Sequence, residues 1–278
     1  KVFLLTSRPY SLFMSECPYI DGVIIDKKLP RWNLFYLYNL KKLLSKYQFT
    51  KVFDLQNSRR TRFYKNFILK NLEWSSSLTT LESGQSKKDF DDHPVLDRME
   101  LQLKKSSIPT NNVKNVDLSW AYEDLSKLIK QYTNRDYILI FPFCSKKHQN
   151  KKWPFFKDLI SQIRREYKNN YSVLVAPGPN ELTEAKELNA NIVLDEGNPI
   201  NIKMLISLIN GAKFIVSNDT GPAHIASRLK KNGLVLFGSH TTAKKVSLGN
   251  ENFKAISVEK LSNLKVNTVI GEIRDKLN

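Results

Sequence analysis

The sequence predicts a protein of the α/β class with two doubly wound domains, in which parallel sheets carry helices on both faces. From Tyr137 onward, short apolar runs alternate with segments whose apolar residues recur at helical spacing. Glycine or proline stands at many of the junctions. The same alternation, in a looser form, covers the first part of the chain. Repeated βα units predict parallel sheets, and 278 residues suffice for two domains.

The first part of the chain supplies short strands and amphipathic helices. Strands are predicted at residues 1–7, 22–26 and 51–55, and helices at 31–47 and 59–72. The polar and poorly periodic stretch from Ser75 to Asp117 predicts loops on the surface. A boundary within "PTNNVKNVDLS" divides the chain into domains 1–116 and 117–278.

The second part repeats the βα unit more regularly. Strands are predicted at residues 137–143, 172–176, 191–195, 213–217 and 233–238, and helices at 156–167, 181–189, 200–210 and 222–229, with a further helix at the carboxyl terminus. The first of these helices places its apolar residues on one face: Phe156, Leu159, Ile160, Ile163 and Tyr167. Ligands of such sheets bind at the carboxyl ends of the strands.

Composition narrows the classes of partner. The formal charge of +17 favours an anionic partner, which could be a phosphorylated small molecule, an anionic lipid surface or a nucleic acid. No helix-turn-helix, zinc finger or aromatic-interleaved basic run indicates nucleic acid. No apolar run approaches the roughly 18 residues of a membrane span. Cys17 and Cys144 have no metal-ligand spacing and predict neither a disulfide framework nor a metal site.

The stretch "IVSNDTGPAHIAS", residues 215–227, crowds polar groups onto the end of a predicted strand. Pro222 suits the first turn of a helix, where backbone N–H groups and the helix dipole attract anions. Gly221 lets the backbone approach a phosphate, while Asp219 and Thr220 could order the loop or bind ligand hydroxyls. Two other interpretations stay open: ordinary turn chemistry with an interior His224, or the catalytic triplet of an aspartic protease, which belongs to an all-β fold.

A second polar stretch, residues 141–159, runs from a strand end into a helix. Its loop carries Lys146, Lys147, His148, Lys151 and Lys152. A solvated lysine run is the plain explanation. The loop nevertheless leaves the first strand of its domain at the carboxyl end, where doubly wound folds bind phosphates. A lysine there would neutralise a diphosphate, and the hydroxyl of Ser145 could donate to it.

Taken together, these stretches resemble glycosyltransferase family 9, the lipopolysaccharide heptosyltransferases. The resemblance rests on "KKWP", "GPNELTEAKEL", "INGAKFIVSNDTGPAHIASRL" and "LVLFGSHT", and in the first part on "KVFDLQNSRRT" and "HPVLDRMELQL". It implies a GT-B fold, in which two Rossmann-like domains enclose a cleft. It also implies an inverting, metal-independent transfer of a heptose or related sugar from a nucleotide-sugar, with an ADP-sugar favoured, to an anionic, lipid-linked glycan.

The resemblance also assigns residues. Ser145 and Lys151 would contact the donor diphosphate, and Asp219, Thr220, Gly221 and His224 the donor phosphate and sugar, with Glu181 or Glu184 at the nucleoside. Arg59, Arg60 and His93 would face the acceptor. The resemblance implies no cofactor, no metal and no nucleic acid partner. It further implies a monomer in the cytoplasm that acts in lipopolysaccharide biosynthesis at the inner face of the bacterial membrane.

The chain departs from the family pattern at its start. Family members open with a strand and a Gly-Asp loop whose aspartate is the expected base, whereas this chain begins at what looks like the second strand. We therefore expect the amino-terminal βα unit and the catalytic aspartate upstream of Lys1. Phe143 and Asn57 also replace glycines of the pattern. The alternative function is that of a non-catalytic protein that binds nucleotide-sugars or nucleic acid.

Overall fold

A computed structural model describes residues 1–277 of the chain. The chain divides into two compact units, the first comprising Lys1–Asn115 and the second beginning at Val116. Each unit is built from alternating strands and helices.

The first unit begins with three βα segments, and three consecutive helices follow its fourth strand. Its strands are β1 (Phe3–Thr6), β2 (Gly22–Ile25), β3 (Lys51–Phe53) and β4 (Glu73–Ser75), and its helices are α1 (Arg8–Ser15), α2 (Leu34–Leu44), α3 (Arg59–Phe67), α4 (Ser77–Thr80), α5 (Lys87–Asp92) and α6 (Val95–Lys105). The strands pair in parallel, β1 with β2 and β3 with β4. Side chains of α2, α3 and both strand pairs share one apolar core, which includes Ile24, Leu40, Ile68 and Trp74.

The prediction of surface loops from Ser75 to Asp117 is wrong at Ser77–Thr80, Lys87–Asp92 and Val95–Lys105. Helices α4, α5 and α6 lie there. Local side chains rather than apolar periodicity start the first two of these helices. Ser86 and Asp89 form a reciprocal cap at the start of α5, whereas at α4 the backbone N–H of Ser76 donates to the hydroxyl of Thr79 at 2.8 Å. Helix α6 is fixed by Gln102, which is buried and donates to the backbone carbonyls of Asp54 and Ser75.

The second unit contains the larger sheet. Its strands are β5 (Asp136–Phe141), β6 (Tyr171–Val175), β7 (Asn191–Ile192), β8 (Leu194–Asp195), β9 (Asn198–Pro199), β10 (Phe214–Asn218), β11 (Gly233–Phe237) and β12 (Phe253–Ser257). Its helices are α7 (Ser126–Lys130), α8 (Phe156–Glu166), α9 (Leu182–Ala185), α10 (Ile202–Gly211), α11 (Gly221–Arg228) and α12 (Val266–Leu277). A parallel sheet has the strand order β12-β11-β10-β5-β6-β7, and β8 pairs with β9 as a small antiparallel ribbon.

Alternate residues of the sheet enter two separate cores, as a doubly wound fold requires. On one face, Ile138, Ile140 and Val216 pack with the apolar sides of α8 and α12. On the other face, Leu139 and Ile215 pack with α10 and α11. The sequence prediction of a parallel sheet with helices on both faces is therefore confirmed for this unit.

Some elements are shorter than predicted. The strand predicted at residues 191–195 is split at Val193 into β7 and β8, because the chain leaves the large sheet there to form the ribbon. Helix α9 covers only four residues of the predicted 181–189. The predicted carboxyl-terminal helix is present as α12.

Candidate functional site

The order of strands in the second unit creates one point where neighbouring connections diverge. From β5 the chain proceeds to β6 and β7 on one side, whereas β10 is followed by β11 and β12 on the other. Strands β5 and β10 are hydrogen-bonded neighbours. The loops that follow them therefore part at their carboxyl ends, which is where open α/β sheets form a ligand crevice.

Asn218, the last residue of β10, forms hydrogen bonds with the loop that follows β5. Its side chain is fully buried and donates to the carbonyl oxygen of Pro142 at 2.8 Å. Its Oδ1 accepts from the backbone N–H of Trp153 at 3.0 Å. The buried indole of Trp153 in turn donates to the carbonyl oxygen of Leu264. Both ends of the loop after β5 are thereby fixed against β10.

A pocket of about 830 Å³ opens at this crevice. It is lined by residues of the loops after β5, β6 and β10. Seven of the predicted site residues lie in its wall: Ser145, Lys151, Glu181, Glu184, Asp219, Thr220 and Gly221. The fold thus brings together predicted site residues that are up to 76 positions apart in the sequence, from Ser145 to Gly221.

An ion pair forms the centre of this wall. Nζ of Lys151 lies 2.6 Å from Oδ2 of Asp219. The Asp219 side chain is 2% exposed and that of Lys151 is 26% exposed. A buried carboxylate of this kind needs a charged or hydrogen-bonding partner, and the pairing holds the ammonium group of Lys151 at the pocket.

His240 is a site residue that the sequence interpretation missed. Its Nε2 lies 3.2 Å from Oδ2 of Asp219, its side chain is 5% exposed, and its ring stacks on Phe237. Because a carboxylate only accepts, Nε2 carries the proton, and Nδ1 is buried without a hydrogen-bond partner among the described residues. His240 follows β11, the neighbour of β10, so the order of the strands was the signal that could have revealed it.

His224 lies beside the same carboxylate but farther away. Its Nε2 is 3.8 Å from Oδ1 of Asp219, and 45% of its side chain is exposed. Desolvation by burial lowers the pKa of His224, and the opposing effect of Asp219 does not offset it. The lowered pKa favours the neutral form of the imidazole in the first turn of α11.

The start of α11 differs in detail from the expected row of unpaired N–H groups. The amides of Ala223 and His224 both point back to the carbonyl oxygen of Thr220, at 3.0 and 3.4 Å. The Thr220 hydroxyl does not cap the helix. A Cβ placed on Gly221 would meet no atom within 4 Å, so the space beside this backbone is open to a ligand.

The carboxylates at the other end of the pocket are already engaged. Oε2 of Glu181 accepts from the backbone N–H of Gly178 at 2.8 Å. Burial raises the pKa of Glu181, the Gly178 N–H opposes this, and the charge of Glu184 adds to it. Glu184 is paired with Lys152 at 2.8 Å.

The three predicted acceptor residues lie in the first unit. Arg60 donates to the hydroxyl of Tyr64 at 2.9 Å and to the carbonyl oxygens of Lys28 and Leu29. Tyr64 donates in turn to Asp26, a buried carboxylate at the end of β2. Arg60 thus belongs to a structural network.

Arg59 and His93 are exposed. Arg59 opens α3, and His93 directly follows α5. The positions of Arg59 and His93 do not test whether they contact the acceptor sugar, so that role stays a prediction.

The family assignment follows from a family model. Glycosyltransferase family 9 (heptosyltransferase) matches residues 37–269, which is more than half of the chain. The chain belongs to glycosyltransferase family 9. It is therefore a glycosyltransferase by family. A comparison with curated proteins found no match.

Solved structures of a heptosyltransferase, a family 9 glycosyltransferase and an epimerase share the fold. The E. coli heptosyltransferase WaaC with ADP is 16% identical, with a TM-score of 0.68 over 98% of this chain and 89% of that one. A family 9 glycosyltransferase from Veillonella parvula is 14% identical, with a TM-score of 0.71 over 99% of this chain and 87% of that one. The UDP-GlcNAc 2-epimerase of Methanocaldococcus jannaschii, 14% identical, has a TM-score of 0.61 over 100% of this chain and 92% of that one.

Residues 1–277 can be assessed for membrane-spanning helices and for metal-binding side chains. No helix there combines the length and apolar character needed to cross a bilayer. No group of three or more His, Cys, Asp or Glu side chains is arranged there to hold a metal ion.

Proposed function

We propose that this family 9 glycosyltransferase binds the diphosphate of a nucleotide-sugar at Lys151 and transfers the sugar with inversion and without a metal ion. The donor is an ADP-sugar, the sugar a heptose or a related one, and the acceptor an anionic, lipid-linked glycan of the lipopolysaccharide type. The ion pair between Lys151 and Asp219, at the switch point of the sheet, carries this proposal.

The chemistry of the leaving group explains why a lysine is needed there. As the bond between the anomeric carbon and the diphosphate breaks, negative charge grows on the phosphate oxygens. A fixed cation near that charge lowers the barrier, because it needs no reorganisation during the reaction. Lys151 meets this requirement, since Asp219 holds its ammonium group at the pocket.

The ion pair with Lys151 favours a different role for Asp219 than the direct contact with donor phosphate and sugar that the resemblance implies. A carboxylate next to a diphosphate is repelled by it, whereas a buried carboxylate behind a lysine orients that lysine. We assign Asp219 to the second task. His240 donates to the same oxygen and supports the carboxylate from within the protein.

The nucleoside end of the donor corresponds to the part of the pocket at Glu181. A carboxylate there can accept a hydrogen bond from a ribose hydroxyl, as acidic residues do in related doubly wound folds. The preference for adenine rests on the ADP in the WaaC structure, while other structures with this fold bear the names of enzymes of UDP-GlcNAc. ADP and UDP are therefore both needed in any binding test.

The acceptor side rests on sequence similarity. A general base must deprotonate the acceptor hydroxyl, and the resemblance to the family implies an aspartate for this task. Arg59 and His93 stay candidates for the acceptor phosphates, and we propose action by a monomer at the inner face of the cytoplasmic membrane. The net charge of +17 favours such an anionic acceptor.

Calorimetric titration with ADP and UDP tests the donor site. Lys151→Ala removes the charge that the diphosphate needs, so we expect ADP affinity to fall by about tenfold to a hundredfold, as for the loss of a charged hydrogen bond. The matched control is Lys157→Ala, because Lys157 is an exposed lysine at the start of α8. This variant should bind ADP with the affinity of the unaltered protein. Equal ADP affinity in the Lys151→Ala protein would contradict the proposed site.

A further inference from the structure

The outer face of α2 is apolar, although the helix already buries its other face. Tyr36, Leu40 and Leu44 enter the core of the first unit. Outside the core, Trp32, Leu34, Phe35 and Tyr38 are 64% to 80% exposed. A helix on the surface of a soluble domain needs one apolar face and presents polar residues on the other. We call these four residues the α2 outer face. Their exposure indicates that a binding partner covers this surface.

The α2 outer face is continuous and held in a defined shape. Tyr38 follows Leu34 by four positions and Phe35 by three, so each of them is its neighbour on the helix surface. Trp32 stands just before the helix, where Asn33 caps the start by accepting from the N–H of Tyr36. The four side chains are thus presented by ordered backbone, not by a free loop.

Cations surround this face and acids are missing from its sequence. Residues 27–53 contain seven lysines and arginines and no aspartate or glutamate. Lys27, Lys28, Arg31, Lys41 and Lys42 are exposed. The guanidinium of Arg31 also lies over the ring of Phe63 in α3, at 5.7 Å from its centroid. The surface is therefore apolar at its centre and positive at its edge.

An anionic bilayer matches both properties at once. Tryptophan, tyrosine and phenylalanine partition into the headgroup layer, and nearby lysines and arginines are attracted to anionic lipids. A protein groove would satisfy the apolar residues but would also need a matching acidic rim. The lipid surface requires no such special partner.

We propose that the α2 outer face docks this protein on the surface of an anionic lipid bilayer. Trp32, Leu34, Phe35 and Tyr38 enter the headgroup region, and Lys41 and Lys42 contact lipid phosphates. This inference concerns the first unit and does not depend on donor binding in the second. Its failure and the failure of the proposed donor site are therefore separate results.

Sedimentation with lipid vesicles tests the docking. The protein should bind vesicles containing phosphatidylglycerol more strongly than vesicles of phosphatidylcholine alone. The double variant Trp32→Ser, Phe35→Ser should bind the anionic vesicles about tenfold more weakly or worse, because it removes two large apolar anchors. Lys41→Glu with Lys42→Glu should also weaken binding and reduce its dependence on salt.

Controls separate docking from damage to the fold. Tyr122→Ser removes an exposed aromatic residue of the second unit and should leave vesicle binding unchanged. ADP titration and the far-ultraviolet circular dichroism spectrum should be the same in all variants. Trp74 and Trp153 are buried and Trp120 is half-buried, so the part of the blue shift of tryptophan emission on adding anionic vesicles that is lost in Trp32→Phe should report Trp32.

Three results would overturn the proposal. The first is equal binding to anionic and neutral vesicles, and the second is full binding by the Trp32→Ser, Phe35→Ser protein. The third is a concentration-dependent dimer that the double variant abolishes, without vesicle binding by the unaltered protein. That outcome would make the α2 outer face a protein interface.

Discussion

At the scale of single residues, Asp219 is the point on which the site depends. One buried carboxylate accepts from Lys151 and from His240, and His224 lies near its second oxygen. Each partner reaches it from a different element, because the loops after β5, β10 and β11 meet at the same edge of the sheet. The sequence shows only separate lysines and histidines, whereas the structure makes them partners of one acid.

His240→Ala should lower stability as well as donor affinity. The change removes a donor to a buried carboxylate and leaves a small cavity, so we expect the free energy of unfolding to fall by about 1 to 3 kcal/mol. Urea unfolding measures this, and ADP titration should show weaker binding because Asp219 no longer holds Lys151 as firmly.

His148→Ala is the control for this change, since His148 is an exposed histidine in the loop after β5. Its free energy of unfolding should stay within about 0.5 kcal/mol of the unaltered protein. A similar small change in His240→Ala would show that the contact with Asp219 does not stabilise the fold.

At the scale of elements, the start of α11 is shaped for a close ligand. Thr220, Gly221 and Pro222 place the start of the helix in the wall of the pocket. Gly221 has no side chain, so its backbone is accessible to a ligand. In many helix starts a side chain would fill this space. Here the vacant space lies next to Lys151 and Asp219 in the pocket wall.

Gly221→Ala should therefore separate binding from stability. The added methyl meets no protein atom, so the free energy of unfolding should stay the same or rise by up to about 1 kcal/mol, because alanine suits a helix better. ADP affinity should fall, since the methyl occupies the space of the phosphate. Urea unfolding and calorimetry on the same protein provide both values.

Gly271→Ala in α12 is the matched variant. A Cβ there also meets no atom within 4 Å, so it should gain about as much stability as an alanine in a helix gives. Its ADP affinity should be unchanged. If Gly221→Ala binds ADP as well as Gly271→Ala does, the donor phosphates do not lie at this helix start.

At the scale of the whole molecule, the two units differ in how well the sequence predicted them. In the second unit the central strands β5, β10 and β11 are buried on both faces, so continuous runs such as "YILIF" indicate them directly. In the first unit, α4 and α5 start from caps formed by serine with threonine or aspartate and lack an apolar period. Periodicity therefore predicted loops where short capped helices lie.

The same contrast holds for the site. Asp219, Gly221 and Lys151 were predictable because their stretches follow strands and carry the family pattern. His240 and Asn218 were missed because each acts through a neighbour in the sheet, and the order of strands was not known from the sequence. Arg60 was assigned to an acceptor from similarity alone; it donates to Tyr64 in the structure, and its acceptor role stays a prediction.

The charge of the whole protein supports the expectation that donor binding needs no metal ion. The net charge is +17, and the loop beside Lys151 adds Lys146 and Lys147 at the pocket. Such a positive field can neutralise a diphosphate that a protein with less charge would bind through a divalent cation. ADP affinity should therefore be unchanged by EDTA, and magnesium should leave it equal or weaken it, because magnesium reduces the charge of free ADP. Added salt should weaken binding steadily, since the attraction is screened over about 10 Å at 0.1 M. Calorimetric titrations in EDTA, in magnesium and at rising salt measure these effects. Loss of affinity in EDTA with recovery in magnesium would instead show that a bridging metal ion carries the charge that we assign to Lys151.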